Sequence, residues 1–232
     1  MRFDPPLREG ILVRRHKRFL ADVQLADGTL LTAHCANSGS MLGVAVPGSP
    51  VALSHHPDKG RKLEWTWELV RLGSHWVGVN TALPNQLVAD AIASGAIPTL
   101  AGWPTLRREV AYGTGSRIDL LLQGGGRPDC YVEVKNVTLT EGKVARFPDS
   151  VTTRGQKHLR ELMAVRAQGH RAALVFWVFR GDCTEVRPAD DIDPEYGRLL
   201  RAAARAGVEL VAVDARVSPQ TVEPGRLLPV VA

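Results

Sequence analysis

The first 85 residues alternate apolar and polar positions over short stretches, which is the pattern of half-buried β-strands. Turn signals separate these stretches: Asp27-Gly28 is typical of a tight hairpin, and residues 47–50 indicate a loop. The stretches cover residues 11–13, 19–25, 30–33, 51–53, 63–72 and 76–79. Five or six short strands without a convincing helix predict a small closed or partly open barrel, for which an OB-fold and an SH3-like barrel both fit.

Beyond residue 85 the apolar residues follow a mixture of helical and extended spacings. Helices are predicted over residues 86–94, 153–168 and 194–206, and strands over residues 108–111, 118–122, 131–134, 172–179 and 208–213. Glycines at 124–126 favour a hairpin between the second and third of these strands. We therefore expect an α+β or α/β chain of two domains, residues 1–85 and residues 86–232, the second a mostly parallel or mixed sheet flanked by helices.

Composition excludes several classes of protein. The apolar fraction of 44% and the charged fraction of 23% are typical of globular chains rather than disordered or fibrous ones. The longest apolar run, residues 172–179, is far shorter than the roughly 20 residues that a membrane-spanning helix needs. Three widely spaced cysteines form neither a CxxC pair nor a zinc pattern, so we expect reduced thiols. The N-terminus has no apolar segment typical of a secretory signal, which favours a cytoplasmic protein without a membrane partner.

Positive charge is concentrated in two parts of a chain whose formal net charge is +5. The first is a run that contains Arg14, Arg15, Lys17 and Arg18, and the second is the block of residues 104–172. Both could face one polyanion, DNA or RNA, with the barrel gripping the nucleic-acid backbone through the N-terminal run. The other interpretation is that each is a solvated strand or helix face.

Two acids in short apolar strands carry the sharpest chemical signal. Asp119 precedes three leucines, and Glu133 follows Tyr-Val in the next predicted strand, where an unpaired carboxylate would be costly to bury. Because residues two apart in a strand share a face, Glu133 and Lys135 project together, and a hairpin would bring Asp119 to them. Two carboxylates beside a lysine suit Mg²⁺ or Mn²⁺, with Asp119 and Glu133 as ligands and water or phosphate oxygens completing the coordination.

The helix that follows supplies further polar residues. Gln156 and Arg160 lie one turn apart on one face, with Lys157 and His158 alongside, and could hold a scissile phosphate or an attacking water. The alternative for the strand residues is a surface ion pair without catalytic meaning, with Asp119 opposite Arg117 or Lys135.

This constellation resembles the active site of the PD-(D/E)XK nuclease superfamily. Asp119 matches its first acid, residues 133–135 match its (D/E)XK element, and Gln156 falls on the helix where many members carry a glutamine. The proline of the superfamily name is absent, and Ile118 stands in its place. Glu109 lies where some members carry an upstream acid, but its neighbours Arg107 and Arg108 favour an ion-pair role. The resemblance implies a catalytic set of Asp119, Glu133, Lys135 and Gln156.

Longer strings of the chain resemble the sugar fermentation stimulation protein A (SfsA) family. They are residues 18–23, 34–41, 65–70, 79–81, 131–138, 147–149 and 153–159. The resemblance implies an N-terminal OB-like barrel joined to a C-terminal PD-(D/E)XK nuclease-like mixed sheet flanked by helices. It also implies DNA binding with low sequence preference and a link to the expression of maltose-utilisation genes.

Two of these strings allow two interpretations each. Residues 34–41 form either a barrel loop that needs small residues for its turns, which we favour, or a cradle for a phosphate. Trp65 and Trp67 share one face of a strand, where a place in the core is favoured over stacking on unpaired bases. A serine hydrolase is not expected because the chain has no GxSxG elbow.

These observations leave three hypotheses about function. The leading one is a DNA-binding protein of low sequence specificity with a metal-dependent nuclease site, in which Lys157 and Arg160 join the N-terminal bases in contacting nucleic acid. The alternative is a non-catalytic regulator that uses the nuclease fold only as a phosphate-binding surface. A sugar-metabolism enzyme or small-molecule sensor has no support from a P-loop, a GxGxxG motif or a defensible glycosidase acid pair.

Overall fold

The computed structural model describes residues 1–57, 60, 62–113 and 115–232, and its N-terminal part is a β-barrel. Within those residues the first six strands are β1 (Arg8–His16), β2 (Leu20–Leu25), β3 (Leu30–His34), β4 (Pro50–His55), β5 (Trp65–Leu72) and β6 (His75–Gly78). Their order is β3-β2-β1-β4-β5-β6, and a parallel pairing of β3 with β5 closes the first five strands into a ring. This circuit is that of an OB-like barrel, as expected from the sequence.

Alternation along the strands explains the barrel core. Leu12, Val23, Val70 and Trp67 point inward and are fully buried, and the Trp67 indole donates to the carbonyl of Leu69 at 2.9 Å. Trp67 is therefore a core residue, as favoured above. The β2–β3 hairpin turns at Gly28, whose φ of +85° suits the Asp-Gly turn.

The C-terminal part is a mixed sheet with helices on both faces, which confirms the expected fold class. Its elements are α1 (Pro84–Ala93), β7 (Thr105–Tyr112), β8 (Ser116–Gln123), β9 (Cys130–Val137), β10 (Thr140–Glu141), β11 (Val144–Phe147), α2 (Thr153–Ala167), β12 (Arg171–Val178), β13 (Glu185–Pro188), α3 (Pro194–Arg205), β14 (Glu209–Val217) and β15 (Val222–Leu228), with a 3₁₀ turn at Pro98–Leu100. The main sheet has the order β15-β14-β12-β9-β8-β7, and β9, β12 and β14 run parallel.

The apolar strand β12 lies at the centre of this sheet and divides two cores. Phe176 and Val178 pack on one face with residues of α2 and α3, whereas Val175 and Trp177 pack on the other face with residues of α1. Both faces are thus buried, which explains why the sequence shows an unbroken apolar run here.

Several elements were not expected from the sequence. The strands β10, β11 and β13 form a separate small sheet, and they are too short to show a period of two. The edge strand β15 contains a proline and a glycine, which removed its strand signal. Helix α1 begins at Pro84, two residues before the expected start, and the domain boundary after residue 85 stays a prediction.

Close contacts join the barrel to the mixed sheet. The Gly78 amide donates to the carbonyl of Phe179 at 2.8 Å, and a Cβ at Gly78 would lie only 2.3 Å from the Phe179 ring. Ser40 Oγ donates to Asp149 Oδ2 at 2.9 Å, and the Met41 amide donates to the same oxygen at 3.1 Å. These contacts hold residues 37–41 of the barrel beside the C-terminal end of β9 and β11. In the described part of the chain, every helix falls short of the length and apolarity needed to cross a membrane.

Candidate functional site

The candidate site forms where β8 and β9 separate. Their antiparallel pairing joins residues 120–122 to residues 130–132, and the register ends just before Asp119 and Glu133. The carboxylate of Asp119 turns across this gap and accepts a hydrogen bond from the Val134 amide at 2.7 Å. The local separation of two strands therefore brings the first acid onto the backbone of the (D/E)XK segment.

Glu133, Lys135 and His158 form a buried cluster, with exposed fractions of 2%, 8% and 5%. Lys135 Nζ donates to Glu133 Oε1 at 2.7 Å, and His158 Nδ1 contacts the same oxygen. Alternation in β9 places Glu133 and Lys135 on the face covered by α2, as expected. Burial of both residues rules out the surface ion pair that the sequence left open.

The hydrogen bond at His158 Nε2 determines which ring nitrogen of His158 donates to Glu133. Arg154 Nε donates to His158 Nε2 at 3.4 Å, so Nε2 is the acceptor and Nδ1 is the ring N–H that faces Glu133. His158 Nδ1 therefore donates to Glu133 Oε1 alongside the Lys135 ammonium group. One oxygen of Glu133 receives two donors as a result.

The other carboxylate oxygen of Glu133, Oε2, lacks a hydrogen-bond donor among the described residues. Among the described residues, Glu133 Oε2 is buried without a hydrogen-bond partner, and the same holds for Asn136 Oδ1, three residues further along β9. A buried carboxylate oxygen without a donor is costly, and a cation or a water that carries one would satisfy it. This arrangement fits an oxygen-liganded metal ion.

Asp119 is held by neutral donors instead of cations. Asn85, in the first turn of α1, donates through Nδ2 to Asp119 Oδ1 at 2.8 Å and to Glu109 Oε1 at 3.1 Å. Glu109 thus lies beside the first acid, and its φ of +53° is unusual for a residue with a side chain. The expected ion pair of Glu109 with Arg107 or Arg108 is wrong for the described residues, because those arginines donate to Gln123 and Gln86.

The two acids have opposite electrostatic surroundings. Burial and the nearby charge of Glu133 raise the pKa of Asp119 to about 6. Burial also acts to raise the pKa of Glu133, but Lys135 and His158 outweigh it and lower that pKa below the ordinary value. A divalent cation between the two carboxylates would relieve the repulsion from Glu133 that helps to raise the pKa of Asp119.

A cavity of about 310 Å³ opens beside these residues. Lys135 and Asn136 of β9 line it together with Asn85 of α1 and residues 37–39 of the barrel loop. In the described part of the chain, no three carboxylate, imidazole or thiol side chains converge as a complete metal cage. A metal here would therefore need water or phosphate oxygens as well, which is common for Mg²⁺ sites.

The side chain of Gln156 contacts Asp193 at the start of α3 and does not reach the carboxylates of Asp119 and Glu133. Its Nε2 donates to both oxygens of Asp193, at 3.0 and 3.1 Å, where Asp193 also caps α3. His158 is the α2 residue that reaches Glu133. Its position in the buried stripe with Leu159 and Leu162 was the sequence signal that could have found it, because a buried histidine needs a polar partner.

Two family models match the chain. The model described as SfsA N-terminal OB domain matches residues 13–79, and the model described as sugar fermentation stimulation protein RE domain matches residues 82–221. The chain belongs to the SfsA family. The OB match also excludes the SH3-like alternative for the barrel.

Relatives agree with this assignment over almost the whole chain. The sugar fermentation stimulation protein homolog of Geobacter sulfurreducens is 57% identical, with 98% of this chain and 97% of the relative covered. The homolog of Thioalkalivibrio sulfidiphilus is 59% identical, with coverage of 99% and 98%. The structure of Pyrococcus furiosus SfsA in complex with Ca²⁺ superposes with a TM-score of 0.90 at 27% identity, covering 100% of this chain and 98% of that one.

Most of the Lys and Arg residues predicted to contact nucleic acid in this SfsA-family chain have intramolecular partners. Arg14 pairs with Asp22 at 2.7 Å, and Arg160 pairs with Glu195 at 2.8 Å. Lys157 lies 3.6 Å from Glu161. These pairs neutralise part of the positive charge, and Arg160 is directed toward α3 rather than toward the candidate site.

Two of the remaining N-terminal basic residues, Arg15 and Arg18, donate hydrogen bonds to the barrel loop of residues 37–40. Arg15 donates to the carbonyls of Asn37, Gly39 and Ser40, and Arg18 donates to the carbonyl of Ser38. Because the loop presents carbonyls to these arginines, it is a fixed turn, in agreement with the favoured interpretation of residues 34–41. Lys17 is exposed and has no acidic partner among the described residues.

Proposed function

We propose that this SfsA-family protein is a Mg²⁺- or Mn²⁺-dependent phosphodiesterase that acts on DNA with low sequence preference. The observation that carries the proposal is the divided environment of Glu133. Its Oε1 accepts from Lys135 and His158, while its buried Oε2 has no donor in the described residues. Asp119 would supply the second ligand from the neighbouring strand, and Glu109 lies beside it.

The Pyrococcus furiosus relative supports a divalent cation in this family. It was solved in complex with Ca²⁺, which prefers oxygen ligands as Mg²⁺ and Mn²⁺ do. The residues of this chain fit such an ion through carboxylate oxygens, and thiols take no part since all three cysteines lie buried elsewhere.

When bound, the ion would neutralise charge on a phosphodiester and lower the pKa of a bound water. The chain's own residues have separate tasks. Glu133 and Asp119 hold the ion, and Lys135 Nζ keeps Glu133 ionised through its positive charge. Lys135 also lines the cavity, where its ammonium group can donate to a phosphate oxygen. His158 Nδ1 holds its proton against Glu133 Oε1 and so fixes the carboxylate orientation.

Arg154 is a further candidate for phosphate contact. It is exposed, lies on the first turn of α2, and reaches the site through His158. Lys17 supplies a positive charge on the barrel that has no acidic partner in the described ranges of the chain. Binding should be mainly electrostatic, so affinity should fall steeply with salt and vary little with sequence. Regulation of sugar utilisation, which the family name suggests, would follow from DNA binding or cleavage.

A second function, DNA binding without catalysis, is favoured by one feature of the site. Both oxygens of Asp119 already accept hydrogen bonds, from Asn85 and from the Val134 amide. In that case Lys135 and the cavity would bind a phosphate without a metal.

Nicking of supercoiled DNA by the purified chain in Mn²⁺ separates the two functions. Under the first, the wild type nicks, E133Q does not, and the exposed control E223Q, on the edge strand β15, nicks as the wild type does. DNA binding in EDTA without nicking under any ion would support the second. Nicking that survives in E133Q would contradict the proposed site.

A further inference from the structure

A second and larger cavity, of about 680 Å³, lies between the barrel strands β3 to β5, the N-terminal residues 1–5 and residues 80–83, and is not used by the carboxylate site. Its volume falls in the range of about 300 to 1,000 Å³ that is typical of small-molecule pockets. Phe3, Leu63 and Leu83 give it apolar walls, and Lys62 with Arg2 adds positive charge at its edge. It therefore combines apolar surface with a few polar groups.

The polar groups at one wall form a fixed network around Glu68. Ser54 Oγ donates to Glu68 Oε1 at 2.6 Å, and Asn80 Nδ2 donates to Glu68 Oε2 at 2.8 Å. His56 Nε2 lies 3.0 Å from Ser54 Oγ. Glu68 is only 5% exposed, yet each of its oxygens has lone pairs left for a further donor. The wall therefore suits a ligand edge that carries N–H groups.

A flat ring also borders the cavity. His55 lines it and stacks on Trp65 with ring centroids 4.1 Å apart and planes 20° from parallel. The stack holds the imidazole in one orientation. Apolar walls, a held aromatic ring and an acid that accepts N–H donors are together the chemistry that recognises a nucleobase.

The two cavities are adjacent, because residues 34–39 and residues 80–85 each contribute to the lining of both. His34 and Ala36 line the larger cavity, and residues 37–39 line the smaller one. Asn80 and Ala82 line the larger cavity, whereas Thr81 and Asn85 line the smaller one. The partition is narrow: the Thr81 amide and hydroxyl both donate to the carbonyl of Ala36, at 3.0 and 2.7 Å.

We propose that the larger cavity is a nucleobase pocket, which takes one unpaired base of a DNA strand whose backbone passes the carboxylate site. The inference rests on the proposed function for the identity of the ligand. A strand with a phosphate beside Lys135 would cross the contact between Ala36 and Thr81, and its next base would enter the pocket. The preferred substrate is then single-stranded DNA or an unpaired nucleotide in a duplex.

The test uses the full chain in EDTA, so that no cleavage is needed. The probe is a single-stranded DNA of about ten nucleotides, within the site sizes of about 4 to 16 nucleotides seen for OB-folds, with 2-aminopurine at one position. Ala82 is exposed at the pocket and its side chain makes no core contact, so A82W should block the entrance without unfolding the chain. The matched control is A93W, an equally exposed alanine on α1 away from both cavities.

A82W should weaken binding of the strand about tenfold and remove the fluorescence change of 2-aminopurine, while A93W should bind as the wild type does. An abasic site in place of 2-aminopurine should weaken wild-type binding by a similar factor. Unchanged binding and fluorescence in a folded A82W would overturn the pocket, and so would equal affinity for the abasic strand.

The readout is independent of the metal site. Because the assay runs in EDTA, the wild type should bind the fluorescent strand even if no nicking is ever found, so failure of catalysis would leave the pocket intact. Protection against heat by a free sugar phosphate, without any response to the strand, would instead assign the cavity to another ligand and overturn the proposal.

Discussion

The two domains each bury a glutamate on a strand, and the two glutamates differ in their hydrogen-bond donors and in the direction in which their pKa is shifted. Glu133 in the mixed sheet contacts two nitrogen donors at one oxygen, and its pKa is lowered mainly by the Lys135 charge acting against burial. Within the described part of the chain, the carboxylate of Glu68 in the barrel accepts from the neutral side chains of Ser54 and Asn80 alone, and burial raises its pKa.

The difference shows how the surroundings of a buried acid determine what it can bind. A neighbouring cation keeps Glu133 ionised, which suits a site that holds a divalent metal. Burial raises the pKa of Glu68 and outweighs its two neutral donors, so Glu68 is closer to protonation, which suits hydrogen bonding to the edge of an uncharged ligand. The same residue type would therefore serve two different proposed sites in one chain.

The largest expected effect is on cleavage. E133Q should reduce Mn²⁺-dependent nicking by at least about 1,000-fold, equivalent to about 4 kcal/mol, because the metal would lose a charged ligand. E68Q should stay within about tenfold of the wild type when DNA is saturating. The measurement is the initial rate of nicking of each variant. Equal losses in both would remove the distinction between the two acids.

The next effect is on stability. K135M should lower the free energy of unfolding by about 3 kcal/mol, because it leaves Glu133 charged and buried with only His158 as a partner. S54A should cost about 1 kcal/mol, because Glu68 loses one neutral donor. Urea unfolding at neutral pH without metal measures both. A larger loss in S54A than in K135M would contradict the comparison.

The pH dependence of stability should have opposite signs at the two acids. The lowered pKa of Glu133 makes its contribution present above 4.5, the ordinary glutamate pKa, and lost as the pH falls. The raised pKa of Glu68 makes its contribution present below 4.5 and lost as the pH rises. The unfolding free energy of the wild type minus that of each variant, E133Q and E68Q, should therefore change in opposite directions between about pH 4 and pH 7. Parallel trends would refute the assignment.

The smallest expected effect is on DNA affinity, and it compares two basic surface residues, one in each domain. K17A should weaken DNA binding a few-fold and reduce the slope of log affinity against log salt by about 1, because Lys17 has no acidic partner in the described residues. R160A should change little, since Arg160 pairs with Glu195. Fluorescence anisotropy at several salt concentrations gives both slopes. A larger slope change in R160A would place the DNA on the α2–α3 face.

Sequence patterns predicted that Asp119 and Glu133 lie close together, which the structure shows, but they did not predict all of the partners of these acids. Alternation in β9 was enough to place Glu133 and Lys135 on one face, since that spacing is local. The partner from α2 was harder to find, because Gln156 and His158 are two residues apart and only the packing of α2 on the sheet decides which of them faces β9. Asn85 was missed for a related reason: its contacts lie 24 and 34 residues away in the chain.

The amino-acid sequence alone determined the order of the elements, the barrel followed by the mixed sheet, and the strand that carries the (D/E)XK segment, because periodicity and turn residues act over a few neighbouring positions. Only the tertiary structure decided which oxygen of Glu133 is satisfied, that Arg15 and Arg18 hold a loop, and that two cavities meet at Ala36 and Thr81. Those outcomes depend on side chains far apart in the chain, whose contacts are set by packing and burial rather than by local spacing.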